Sequence, residues 1–93
     1  MTLEEVTKKI TPLLGQSGLA YAGVFGSVAR GEADSRSDVD ILVEFQGPAT
    51  FDGYMKLKAF LENVLERRVD LLTRRGIRPE LAPTIEHDAV YVT

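Results

Sequence analysis

The sequence predicts a mixed α/β domain, and three patterns carry that expectation. Two segments, about 3–15 and 51–66, repeat apolar residues at helical spacing. Residues 38–45 alternate apolar and polar side chains, as a strand does. Short apolar runs at 21–25 and 68–73 add two strands, interleaved with the helices. The chain has 93 residues, so one domain over 1–93 is expected. A chain this short buries only about 60–65% of its unfolded surface, which makes its core thin.

The elements follow in order. Thr2 with Glu5 three residues later is a capping-box pattern, and Leu3, Val6, Ile10 and Leu13 or Leu14 continue it as a helix. Pro12 bends or shortens that helix, and Gly15 and Gly18 stop it. Tyr21 to Phe25 is a buried strand closing at Gly26, followed by a single helical turn at Val28-Ala29-Arg30. Residues 32–37 are a polar loop. On the strand from Asp38 to Phe45, Val39, Ile41, Val43 and Phe45 share one face, and Asp38, Asp40, Leu42 and Glu44 share the other. After the Gly47-Pro48 break, Phe51, Tyr54, Leu57, Lys58, Leu61 and Leu65 form the stripe of a second long helix. Arg68 to Thr73 is a third strand ending before Gly76. A last helix is expected over about 79–87, and Val90 to Val92 is a short edge strand.

Composition excludes several classes. Apolar residues at 44% and charged residues at 27% are ordinary for a globular protein, and the net charge is −3. An acidic whole argues against direct nucleic-acid binding through phosphate neutralisation. Without cysteine there is no disulfide, thiolate metal site or thiol nucleophile. No run reaches the ~18 apolar residues of a membrane span, and the N-terminus lacks a signal-peptide pattern, so the expected location is cytoplasmic.

The chemistry concentrates in residues 26–40. Gly26-Ser27 closes a buried strand, offering backbone N–H groups and a hydroxyl suited to phosphate. Ten residues separate Ser27 from Asp38, and Asp40 follows two positions later. Side chains at i and i+2 of a strand face the same way. Two carboxylates ~5 Å apart repel by ~3 kcal/mol at an effective dielectric of 20. A divalent cation reverses that sign, and Mg²⁺ is held by one or two carboxylates plus substrate phosphates. The alternative is structural, with one Asp capping the polar loop and the other pairing with Arg36. Asp70 lies in a strand with apolar neighbours, where a carboxylate needs a partner or a metal. If the second and third strands are parallel neighbours, Asp70 falls beside Asp40; its alternative is an ion pair with Arg68 or Arg74.

At these residues the chain resembles the minimal nucleotidyltransferases (MNT) of the DNA polymerase β superfamily. The resemblance rests on Gly26-Ser27, Ala29-Arg30-Gly31, Ser37 to Val43, Val69 to Thr73, and the tail Ile85 to Val92, and covers essentially the whole chain. It implies a polymerase β palm-like core, a small mixed sheet flanked by helices. It also implies that Asp38, Asp40 and Asp70 hold Mg²⁺ in a two-metal site and are catalytic. Gly26, Ser27 and Arg30 would bind the nucleotide, with ATP as substrate. Such proteins are antitoxins of HEPN ribonuclease toxins, so the resemblance implies transfer of AMP to a tyrosine of the toxin. No segment resembles the acceptor-holding domains of larger relatives, so a protein acceptor docking from outside is expected. Two other readings stay open: a non-catalytic antitoxin acting by binding, and a small-molecule nucleotidyltransferase completed by a partner subunit. The possible edge strand leaves homo- or hetero-oligomers open.

Other residues carry less. Arg30 either reaches the triphosphate or anchors the loop on Glu32 or Asp34. Arg36 is a loop arginine near the presumed site. Arg67, Arg68, Arg74 and Arg75 form a basic cluster around Asp70. His87 has no motif around it and is expected at the surface; Tyr21, Tyr54 and Tyr91 are expected in or near the core.

Overall fold

A computed structural model describes residues 2–14, 18–34, 36–48 and 50–92. The order is α1 (Leu3–Leu14), β1 (Leu19–Phe25), α2 (Gly26–Ala29), β2 (Val39–Phe45), α3 (Phe51–Leu65), β3 (Val69–Thr73), a 3₁₀ turn (Arg74–Gly76), α4 (Ala82–Asp88) and β4 (Val90–Val92). Gly15, the expected stop of the first helix, lies outside the described residues, as does Ser35 of the polar loop. The strands form one mixed sheet in the order β3-β2-β1-β4. β1 runs antiparallel to β2 and to β4, while β2 and β3 are parallel neighbours joined through α3.

Local chemistry explains the boundaries. The Glu5 N–H donates to Thr2 Oγ1 at 3.2 Å, so the α1 cap forms as expected. Pro12 sits inside α1 without ending it. Thr50 caps α3 by accepting from the Gly53 N–H at 3.0 Å. The last helix spans Ala82–Asp88 rather than about 79–87, with Pro83 in its first turn.

One face of the sheet is the core. Ala22, Val24, Val39, Ile41, Val43, Val69 and Leu71 alternate onto it and pack against Val6 and Ile10 of α1 and Leu57, Leu61 and Leu65 of α3. Burying each such side chain contributes roughly 1.5–3 kcal/mol, which offsets much of the ordering entropy of a small chain. Two expectations fail here. Phe51 does not join the α3 stripe but is 81% exposed, and Leu42, on the polar face of β2, is fully buried. β2 is the second strand of four and is covered on both faces along this stretch, so simple alternation underestimates its burial.

The outer edge of β3 is occupied by α3. The Val69 N–H donates to Glu62 Oε2 at 3.0 Å, and the Tyr54 hydroxyl donates to the Leu71 carbonyl. Two of the backbone groups that would template another strand are thereby satisfied internally. Glu62→Ala leaves the amide of buried Val69 without its partner. We expect a loss of about 1–2 kcal/mol in urea unfolding, together with concentration-dependent association seen by light scattering.

Candidate active site

The polar loop between α2 and β2 is organised by Asp34. Its Oδ1 accepts the Arg36 N–H at 2.8 Å and the Ser37 hydroxyl at 3.3 Å, while its own N–H donates to Ser37 Oγ at 3.0 Å. Those backbone and hydroxyl donors hold the Asp34 carboxyl below the usual range. Asp34 thus does the loop capping that the structural alternative gave to Asp38 or Asp40. The loop returns the chain antiparallel, setting Phe25 opposite Asp40 and so placing Gly26 against that carboxylate.

At Gly26 the backbone takes φ +71°, a left-handed conformation, and there is no room for a side chain. A Cβ there would lie 2.1 Å from Asp40 Oδ2. On the other side, the parallel register sets Asp40 directly beside Asp70, close enough for the Asp70 carboxyl to act on it. Asp38 precedes β2 and acts on Asp40 through space. Burial first, then the charges of Asp70 and Asp38, push the Asp40 carboxyl up to about 6, and the Arg30 charge opposes them. Neither ion pair proposed as an alternative for Asp70 forms among the described residues. Arg74 instead donates to the Tyr21 hydroxyl at 3.1 Å and pairs with Glu86 at 3.1 Å.

A fit to a divalent cation can be tested on these groups. The donors are all carboxylate oxygens, the set that hard cations take. Burial, with the charges of Asp70 and Asp38 adding to it, leaves Asp40 inclined to hold a proton, as expected where a positive charge belongs. Among the described residues, however, no three acidic, imidazole or thiol groups are gathered closely enough to enclose an ion as they stand. Asp40 and Asp70 stand side by side on neighbouring strands, and Asp70, like Asp38, is exposed rather than buried among its apolar neighbours. The residues fit such an ion by chemistry alone, and Asp38 would have to turn inward to join the other two.

A family model described as a nucleotidyltransferase domain matches residues 4–92. This chain belongs to that nucleotidyltransferase family. It is 38% identical over 96 residues to protein adenylyltransferase MntA of Thermococcus cleftensis, covering 99% of this chain and 97% of the relative. A solved structure provisionally described as a minimal nucleotidyltransferase superposes with a TM-score of 0.83 at 38% identity, covering 97% of this chain and 95% of that one. A toxin–antitoxin crystal structure with AMP-PNP gives a TM-score of 0.80 at 25% identity, covering 91% and 70%. The expected fold, a palm-like nucleotidyltransferase core, is the one observed.

Within this nucleotidyltransferase, several side chains have roles that sequence reading did not foresee. Arg30 bonds both Glu32, at 3.2 Å, and Asp88, at 2.8 Å, so it anchors on Glu32 and not on Asp34. Asp88 was visible only as a member of the tail motif; nothing local to it announced a partner 58 positions away. Tyr21 and Tyr91 meet edge to face with ring centroids 5.3 Å apart, on the face opposite the core, where Tyr91 covers Gly23. His87 is exposed, as expected.

Proposed function

We propose that this nucleotidyltransferase transfers AMP from ATP, with Mg²⁺, to a tyrosine hydroxyl of a HEPN ribonuclease toxin and so acts as its antitoxin. The observation that carries the chemistry is the Asp40–Asp70 pair lying against a glycine that admits no side chain. A relative named protein adenylyltransferase supports AMP as the group moved and a protein as its acceptor. A toxin–antitoxin neighbour with AMP-PNP supports the nucleotide and the kind of partner. The HEPN identity and the tyrosine rest on the resemblance of the Gly26-Ser27, Asp38-Val39-Asp40 and Asp70 motifs.

In this reading the acceptor oxygen forms a bond to the α-phosphorus, and the bond from that phosphorus to the bridging oxygen breaks. Pyrophosphate leaves with the electron pair. Asp38, Asp40 and Asp70 would hold Mg²⁺, which when bound supplies charge stabilisation to attacking and leaving oxygens. Gly26 and Ser27 present a backbone turn and a hydroxyl to the phosphates. A tyrosine near ~10 and an ordinary Asp near ~3.9 differ by about 6 units, or ~8 kcal/mol, too much for unaided proton transfer. Asp70 is therefore first a ligand and only secondarily a base. It lies on β3 at the edge of the sheet, where an acceptor from another chain can approach.

The test is to incubate the protein with α-³²P-ATP, Mg²⁺ and the product of the neighbouring gene. Label is expected on a tyrosine of that partner, and none with Asp40→Asn or with chelator present. An unlabelled partner that is nevertheless silenced by the Asp38→Asn/Asp40→Asn variant would replace transfer with neutralisation by binding.

A further inference from the structure

Arg30 is fixed to the phosphate turn by its backbone, since its N–H donates to the Gly26 carbonyl at 3.1 Å. A guanidinium has five N–H groups. Here Nε–H goes to Glu32 and one Nη1–H to Asp88, and the other three have no partner among the described residues. Glu32 is a local tether on an exposed loop, its side chain 64% exposed. Asp88 differs, because it comes from the end of α4 and its side chain is only 21% exposed.

The frame behind Asp88 is tied to the sheet at two places. β4 starts two residues later and pairs with β1 (Val90 opposite Val24), the strand that leads into Gly26. The same last turn of α4 is tied through Glu86 to Arg74, and Arg74 to Tyr21 on β1. Asp88 and the phosphate turn are therefore referenced to one strand. An exposed ion pair contributes little to stability. A carboxylate beside a turn suited to polyanions also opposes binding by its charge. Neither stability nor charge explains Asp88 at this position, but orientation does.

We propose that Asp88 is a positioning residue that aims the Arg30 guanidinium, through its unused N–H groups, at the triphosphate of the bound nucleotide. This rests on the ATP-dependent reading above. Arg30 already sits close enough to the carboxylates for its charge to act on Asp40. A planar guanidinium held on one edge loses less rotamer freedom on binding phosphate than a free one.

The experiment measures binding of α,β-methylene ATP with Mg²⁺ by calorimetry, because that analogue cannot release pyrophosphate. Wild type, Arg30→Ala, Asp88→Asn and the double variant are compared, with melting temperatures alongside. Asp88→Asn is expected to weaken binding about tenfold, the scale of one charge-assisted contact. The double variant should bind no worse than Arg30→Ala alone, and melting should move by no more than a few degrees. The direction is diagnostic: removing a negative charge near a polyanion would by Coulomb's law alone tighten binding. Unchanged or tighter binding in Asp88→Asn overturns the proposal, as do additive losses in the double variant or weakening that tracks a large fall in melting temperature. A wild type that binds no analogue overturns the ATP-dependent reading itself, and this proposal with it.

Discussion

Replacing Gly26 with alanine is expected to abolish transfer and destabilise the domain at once. The added methyl would meet Asp40 Oδ2 at 2.1 Å and Cγ at 2.9 Å, far inside van der Waals contact. It would also occupy φ +71°, which costs a residue with a Cβ roughly 1–2 kcal/mol. Relief requires the turn or the Asp40 side chain to move, so the total loss is expected at about 2–4 kcal/mol in urea unfolding. A shift of about 1 Å in a catalytic group costs on the order of a hundredfold, and here both the phosphate turn and a carboxylate shift, so transfer should fall by ~10³. Gly31→Ala is the control. It shares a positive φ of +74° but faces open space, so it should show the backbone cost without the loss of transfer. Similar transfer by the two variants would show that the contact with Asp40 has no bearing on activity.

Asp40→Asn should have the opposite effect on stability and a comparable one on activity. The Asp40 carboxyl is raised to about 6 in the folded protein, above its ordinary 3.8. Between about pH 4 and 6 the native state therefore keeps a proton that the unfolded chain has released. Stability in this component is present at low pH, declines as pH rises through that window, and stays reduced above it. The full shift would correspond to about 3 kcal/mol, and solvent screening around a half-buried group reduces it to roughly 1–2 kcal/mol. The asparagine variant lacks this decline, so at pH 7.5 it should melt about 4–10 °C above wild type, on the scale of a domain this size. Comparing the two proteins at each pH isolates Asp40 from Asp34, whose own carboxyl shifts downward. Adding Mg²⁺ should raise the melting temperature of the wild type and leave the variant where it was. A variant less stable than wild type at pH 7.5 without metal would contradict the crowding of carboxylates on which this rests.

Much of this was legible because the decisive signals are local. The two long helices announced themselves by period, and the Asp38-Val39-Asp40 alternation pointed to Asp40, which β2 carries, whereas Asp38 stands just ahead of that strand. The conditional neighbouring of Asp70 and Asp40 became a register pair, since parallel strands joined by one helix have few other arrangements. What escaped was long-range. Leu42 reads as half of an alternating strand, yet its burial depends on what covers the second face of the sheet. Phe51 reads as the start of a stripe, yet it lies one turn ahead of the Tyr54 that reaches β3. Glu32 was within reach as a partner of Arg30, but the distant partners were not: Asp88 lies 58 positions from Arg30 and Tyr21 53 from Arg74, and no periodicity encodes such pairs.

The occupied flank of β3 bears on how another molecule can arrive. Glu62 and Tyr54 already take the Val69 amide and the Leu71 carbonyl. Backbone zippering of a visitor is thus obstructed along the border nearest Asp70. A polypeptide offering its hydroxyl there would have to present it from a loop tip or helix surface, gripped by side chains. Main-chain pairing, if it occurs, belongs to the far border beyond β4, across the sheet from the chemistry.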